Sequence, residues 1–197
     1  MKKIVNVMAV LLIIPLISGC AAMALGGAGA VGYSGVQERT IGNAVDDNVI
    51  EAEILSSFVQ KKIEGLFVNV GVQVTEGRVL LTGTVQDPED SVEAVKLSWQ
   101  PKGVKEVINE IQVSNKSSVN DVAKDSWITT QVKSKLLITK GIKSINYNVE
   151  TVNGVVYLIG LAENADELDK ATLVASTIKG VKKVVSHVRL YNDDRRQ

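Results

Sequence analysis

The segment GRVLLTG at residues 77–83 returns as GVVYLIG at 154–160, displaced by 77 positions. The same shift carries Gly103-Val104-Lys105-Glu106-Val107 onto Gly180-Val181-Lys182-Lys183-Val184, and Ile111 and Val113 onto Val188 and Leu190. With one residue of adjustment, Asp47, Ile50, Ile54 and Phe58 fall on Asp125, Ile128, Val132 and Leu136. A unit of about 70 residues present only twice does not build a solenoid, whose repeats stack in longer series to bury their cores. The chain therefore reads as two small domains of one fold, each large enough for a modest core.

Each unit predicts the same elements. Ile50, Ile54 and Phe58, like their counterparts, recur every fourth residue, which is one face of an amphipathic helix. Asp47 and Asp125 stand where an N-cap is expected. Val68, Val70, Val72 and Val74 then alternate as in a strand, and Glu76-Gly77 (Asn153-Gly154 in the second unit) supplies a hairpin turn. A second helix is predicted over about 88–100 and 165–179, opened by Pro88 in one unit and closed by Gly180 in the other. A last strand, 104–113 or 181–190, completes the order helix, strand, strand, helix, strand. Two helices on one face of a three-stranded mixed sheet is the natural way to bury it, giving fold class α+β. The boundaries predicted are 46–115 for the first domain, 116–124 for a linker, 125–191 for the second domain and 192–197 for a polar tail.

The first 45 residues have another character. Lys2 and Lys3 precede an apolar run from Val5 to Ile17, which ends in Ser18-Gly19-Cys20. A basic start, a short apolar stretch and small residues describe a secretory signal peptide, here 1–19. The run is shorter than the roughly 20 residues that span a bilayer. Cys20 is the only cysteine, so no disulfide framework exists. From Ala21 to about Val45, Gly, Ala and Ser dominate, the composition of a tether with a reach of about 25–30 Å. Within it, Gly27-x-Gly29-x-x-Gly32 matches a dinucleotide-binding fingerprint, but that motif needs a strand before it and a helix after it. Here the apolar run before it is a leader to be removed.

The motif Gly-x-Val-x-Leu-x-Gly, an Ala-bearing helix, then Gly-Val-x-x-Val resembles the BON domain. Its residues are Gly77, Val79, Leu81, Gly83, Ala94, Gly103, Val104, Val107 and Asn109 in the first unit. In the second they are Gly154, Val156, Leu158, Gly160, Ala171, Ala175, Gly180, Val181 and Val184. The first unit departs from the pattern at Ser98 and Pro101, and the second has Ser186 where Asn109 would match. Cys20 after Ser-Gly is similar to the lipobox of bacterial lipoproteins. That resemblance implies cleavage before Cys20 and a diacylglyceryl group on its sulfur, and Ala21 resembles the outer-membrane sorting pattern. Leader, cysteine, tether and two BON units in this order are similar to dual-BON outer-membrane lipoproteins. The resemblance implies an anionic-phospholipid-binding protein of the envelope, anchored in the outer membrane and facing the periplasm.

Little else in the sequence suggests catalysis. His187 is the sole histidine and sits in a predicted strand. Asp87-Pro88-Glu89-Asp90 starts a helix, where carboxylates favour the dipole. No catalytic residue, metal site or cofactor is expected, and nucleic acid is an unlikely partner for an exported chain.

Charge is balanced overall, with 22 Lys/Arg and 22 Asp/Glu, but not locally. Residues 46–115 hold 6 basic and 12 acidic side chains, whereas 116–197 hold 13 and 9. Only the second half is suited to an anionic surface. On its first helix, Trp127 and Leu137 fall roughly 140° to either side of the stripe Ile128, Val132 and Leu136. Thr130 and Ser134 lie between them, with Lys133 alongside. Tryptophan favours the headgroup boundary of a bilayer, so Trp127, Thr130, Lys133, Ser134 and Leu137 form the candidate lipid-binding face. The matching positions of the first unit are Val49, Ala52, Leu55, Ser56 and Val59, beside Glu51 and Glu53. Packing of Trp127 on the other domain or the linker is the alternative. So is a role as a periplasmic interaction module that meets outer-membrane assembly or division proteins.

Overall fold

The computed structural model describes residues 41–61, 69–114 and 119–194. The first unit runs α1 (Ile41–Gln60), β1 (Val70–Thr75), β2 (Arg78–Val85), α2 (Pro88–Ser98), β3 (Glu106–Val113). The second repeats it as α3 (Val119–Ile138), a 3-10 turn at Ser144–Asn146, β4 (Tyr147–Val152), β5 (Val155–Ala162), α4 (Ala165–Ser176) and β6 (Lys183–Leu190). Cys20, the leader at 1–19 and the tether up to residue 40, with its glycine fingerprint, lie outside the described residues.

Each sheet is mixed. β1 pairs antiparallel with β2 through the hairpin, and β2 pairs parallel with β3, because the crossover through α2 returns the chain to the same end. The second sheet has the same order and senses, β4-β5-β6. Ile50, Ile54 and Phe58 pack with Val72, Val79, Leu81 and Leu97 into one core. Ile128, Val132 and Leu136 do so with Val149, Val156, Leu158 and Ala171 in the other. Each such fully buried side chain contributes about 2 kcal/mol.

Asp47 and Asp125 are not N-caps. α1 and α3 begin six residues before them, at Ile41 and Val119, so both aspartates sit inside a helix. The second helix thus starts within the predicted linker, and the first within the predicted tether. What the carboxylates bind explains the residue type. Both hairpins turn through two left-handed residues, Glu76 and Gly77 at φ 56° and 75°, Asn153 and Gly154 at 53° and 80°. The two amides of each turn point at the helix. Asp47 accepts from Glu76 N and Gly77 N, both at 2.8 Å. Asp125 accepts from Asn153 N at 2.6 Å and Gly154 N at 2.8 Å. A buried carboxylate with two amide donors rivets helix to hairpin and fixes the helix about its own axis.

The last glycine of each motif has a separate cause. A Cβ at Gly83 would stand 1.8 Å from the Asn69 carbonyl oxygen, and one at Gly160 would stand 1.9 Å from that of Asn146. Backbone approaches too closely there for any side chain.

The two sheets also pack on each other, which the sequence reading did not foresee. Leu80, Tyr157 and Ile159 form a third buried cluster, joined by Ile108, Val152, Val155 and Val185. These residues alternate with those of the helix-covered cores, so they occupy the opposite sheet faces. The result is four layers, helices outside and two sheets within. Charged groups rim the junction. Arg78 bonds Glu106 at 2.7 Å and the His187 carbonyl at 2.9 Å, while Arg189 reaches Glu106 at 2.9 Å. The hydrogen bond from Arg78 holds the Glu106 carboxyl below the usual glutamate range, against the opposing effect of its partial burial.

Candidate functional site

With the stripe Ile128, Val132 and Leu136 buried and Asp125 riveted to the hairpin, α3 has no freedom to rotate. Thr129 adds a hydroxyl contact to Thr151 of β4 at 2.8 Å. The opposite side therefore presents a fixed array to solvent. Trp127 is 49% exposed and Leu137 72% exposed. Thr130, Lys133 and Ser134 are exposed as well, so all five residues singled out from the sequence share this outward side. Thr130 turns its hydroxyl back to the Ser126 carbonyl at 2.9 Å, leaving its methyl on the surface. Ile138, also exposed, extends the apolar ridge at the C-terminal end of the helix, while exposed Val122 lies on the Lys133 side. Neither was singled out from the sequence. Ile138 is one position from Leu137 and close to Ser134 on the helical wheel, so the wheel could have included it. Val122 required knowing that the helix starts at Val119.

Beside this ridge a polar groove of about 450 Å³ runs between α3 and the first domain. Ser126, Thr129, Thr130 and Lys133 form one wall, and Gly83 and Thr84 the other. Glu150 of β4 lies in it and accepts from Gln73 at 3.3 Å. Burial pushes the Glu150 carboxyl above the usual glutamate range, with Lys133 working in the opposite direction. Glu51 of α1 is pushed up too, first by burial, then by the negative charges of Glu150 and Asp47.

The counterpart side of α1 shows the same layout with other residues. Val49 and Val59 are each 50% exposed, and Ala52, Glu53 and Ser56 are exposed. Leu55, at the position of Lys133, instead packs partly against the core.

Three other titratable groups have structural work. Asp87 caps α2 by accepting from Glu89 N at 2.9 Å. Glu167 is buried and accepts from Lys143 N and Glu163 N, both at 2.8 Å. His187 lies 2.9 Å from Glu110 at the junction between sheets. Among the described residues no group of three or more His, Cys, Asp or Glu is placed to hold a metal, and no helix is long and apolar enough to cross a membrane.

Comparison with known proteins agrees with this architecture. The BON domain model matches residues 46–115 and again 124–191. Outer membrane lipoprotein DolP of Haemophilus influenzae is 36% identical over 86% of this chain and 87% of its own length. A 21 kDa hemolysin of Actinobacillus pleuropneumoniae is 39% identical, covering 76% of this chain and 77% of that protein. A protein of Anaplasma centrale, described as an uncharacterized protein in the gshII 5' region, is 44% identical over 74% of this chain and 95% of its own. The chain belongs to the BON-domain family, as a dual-BON protein similar to DolP.

Proposed function

We propose that this chain is a non-enzymatic lipoprotein of the bacterial envelope that docks on anionic phospholipid through the outward side of α3. In this reading Cys20 is lipidated and holds the chain to the periplasmic side of the outer membrane. The observation behind it is the ridge of Trp127, Leu137 and Ile138 with Lys133 at its side, on a helix that cannot turn those residues inward. Exposed apolar side chains of this size gain from entering the acyl boundary, and Trp127 can keep its N–H in the headgroup layer. Each basic residue near an anionic surface adds about 1 kcal/mol. A tether of the predicted length keeps the helix at high local concentration over the bilayer, so a weak patch suffices. The name of the DolP relative supports the location, and the charge balance of the second half supports the choice of lipid.

The test is vesicle flotation of residues 36–197, which form one compact unit. The fragment should float with vesicles containing anionic phospholipid and stay behind with zwitterionic ones. Trp127→Glu should strongly reduce flotation. Binding indifferent to lipid charge or to that substitution would remove the basis of the proposal.

A second reading draws on a different surface. Val92 of α2 is 68% exposed and Trp99, at the C-terminal cap of that helix, 51% exposed, in the acidic first domain and on the far outer layer of the sandwich from α3. An apolar pair there suits a protein contact better than an anionic bilayer, and with it a role beside outer-membrane assembly or division proteins.

A further inference from the structure

The contacts between the two sheets follow the repeat. Gln73 and Glu150 share a hydrogen bond, and so do Glu110 and His187, and each pair is separated by 77 positions. That is the repeat shift, so each contact joins the same position of the two domains. Leu80 and Tyr157, related by the same shift, lie in the apolar cluster between the sheets. β2 meets β4, and β5 meets β1, which is one contact seen twice with the domains exchanged. A two-fold axis produces this pattern. Residues on the axis meet their own equivalents, and residues off it meet in reciprocal pairs. The domains are packed as a dimer within one chain, with positions 73/150 and 110/187 near its axis.

Side-chain identity at such positions decides which faces can pair. Two copies of the first face would set Glu110 against Glu110. Two copies of the second would set Glu150 against Glu150 and His187 against His187. Like charges in a partly desolvated interface suppress the wrong partner. In the observed pairing each carboxylate meets a donor instead, the Gln73 amide for Glu150 and the His187 ring for Glu110.

We infer that each sheet face is a two-fold-like pairing surface, and that positions 73/150 and 110/187 select its partner as the complementary domain of the chain and reject a like domain. The surroundings of His187 bear on any charge change made there. They comprise Glu110 and Glu106 of β3, Arg78 of β2, whose guanidinium donates to the His187 carbonyl, and Arg189 of β6.

Exchange of side chains across the axis tests this in the full chain. Glu110→His and His187→Glu each place like against like, and each should lower the thermal midpoint by about 5 °C. The joint variant E110H/H187E should return to within about 2 °C of the parent, because the two positions are equivalent. At the other axial pair, Gln73→Glu should destabilise, Glu150→Gln should not, and Q73E/E150Q should recover. Additive losses in both joint variants, or a neutral Gln73→Glu, would overturn the inference, since positions on a two-fold axis have equivalent surroundings and must tolerate exchange.

Discussion

Where α3 presents Trp127 and Leu137 to solvent, α1 presents Val49 and Val59 at the matching positions, and all four are exposed. The inner sides of the two helices are nearly interchangeable, with an aspartate rivet and a stripe of three buried apolar residues in each. The outer sides are not. Lys133 corresponds to Leu55, while Thr129 and Gln131 correspond to Glu51 and Glu53. The fold constrains the inward residues of both copies alike, because each must fit a sheet and a hairpin. The fold constrains the outward residues less, holding Leu55 on the core and Thr129 on Thr151 but leaving Trp127 and Val49 in solvent, so the difference at the exposed positions points to function.

The largest effect should come from the shared inner side. Asp47→Ala and Asp125→Ala each strand two buried turn amides, and each should cost about 3 kcal/mol. Urea unfolding of the two variants measures this. Similar losses would support equivalent rivets, whereas a loss in one domain alone would break the comparison.

The outer sides should behave differently from one another. Trp127→Glu should weaken binding to anionic vesicles by roughly 30-fold, about 2 kcal/mol, through loss of the anchor and gain of a repulsive charge. Val49→Glu, the same change at the matching position of α1, should leave vesicle binding unaltered. The converse experiment sharpens the contrast. Replacing Val49, Glu51, Glu53 and Val59 with Trp, Thr, Gln and Leu gives α1 the outward chemistry of α3. Vesicle affinity should then rise by a few-fold, smaller than the loss in Trp127→Glu because Lys133 has no counterpart in α1.

Much of this was legible in the sequence, for reasons that differ by element. The helix stripes and hairpin turns follow from local periodicity and from Glu76-Gly77 and Asn153-Gly154, so the elements of each domain follow from local sequence. The Asp47 and Asp125 contacts could not. An aspartate near a helix start reads as a cap because its usual partners are local, whereas these partners lie about 30 residues away. The sheet-on-sheet packing did leave a signal. Val155-Val156-Tyr157-Leu158-Ile159 is apolar at every position, and a strand with one wet face should alternate. Reading each domain in isolation supplied a cover for only one face of that strand. The α3 side was legible because a helical wheel needs only sequence, although its true length, and with it Val122, was not.

The smallest effect concerns acid. Burial raises the Glu150 carboxyl pKa in the folded chain, so the ionised side chain opposes folding at neutral pH. That penalty is fully present above the folded-state pKa and disappears as pH falls below the unfolded value. Glu150→Gln should therefore stabilise slightly at pH 7, with the gain vanishing toward pH 4. A gain that instead grew on acidification would contradict the burial of this group as the cause.

In the proposed docking α3 meets the bilayer and α2 does not. With only Trp99 and Trp127 in the chain, fluorescence quenching by brominated phospholipid tests it directly. In a Trp99→Phe background, Trp127 emission should be quenched by bromine placed near the headgroup end of the acyl chain in anionic vesicles, and should be unaffected in zwitterionic ones. Quenching of Trp99 in a Trp127→Phe background, with Trp127 unquenched in its own, would contradict the account.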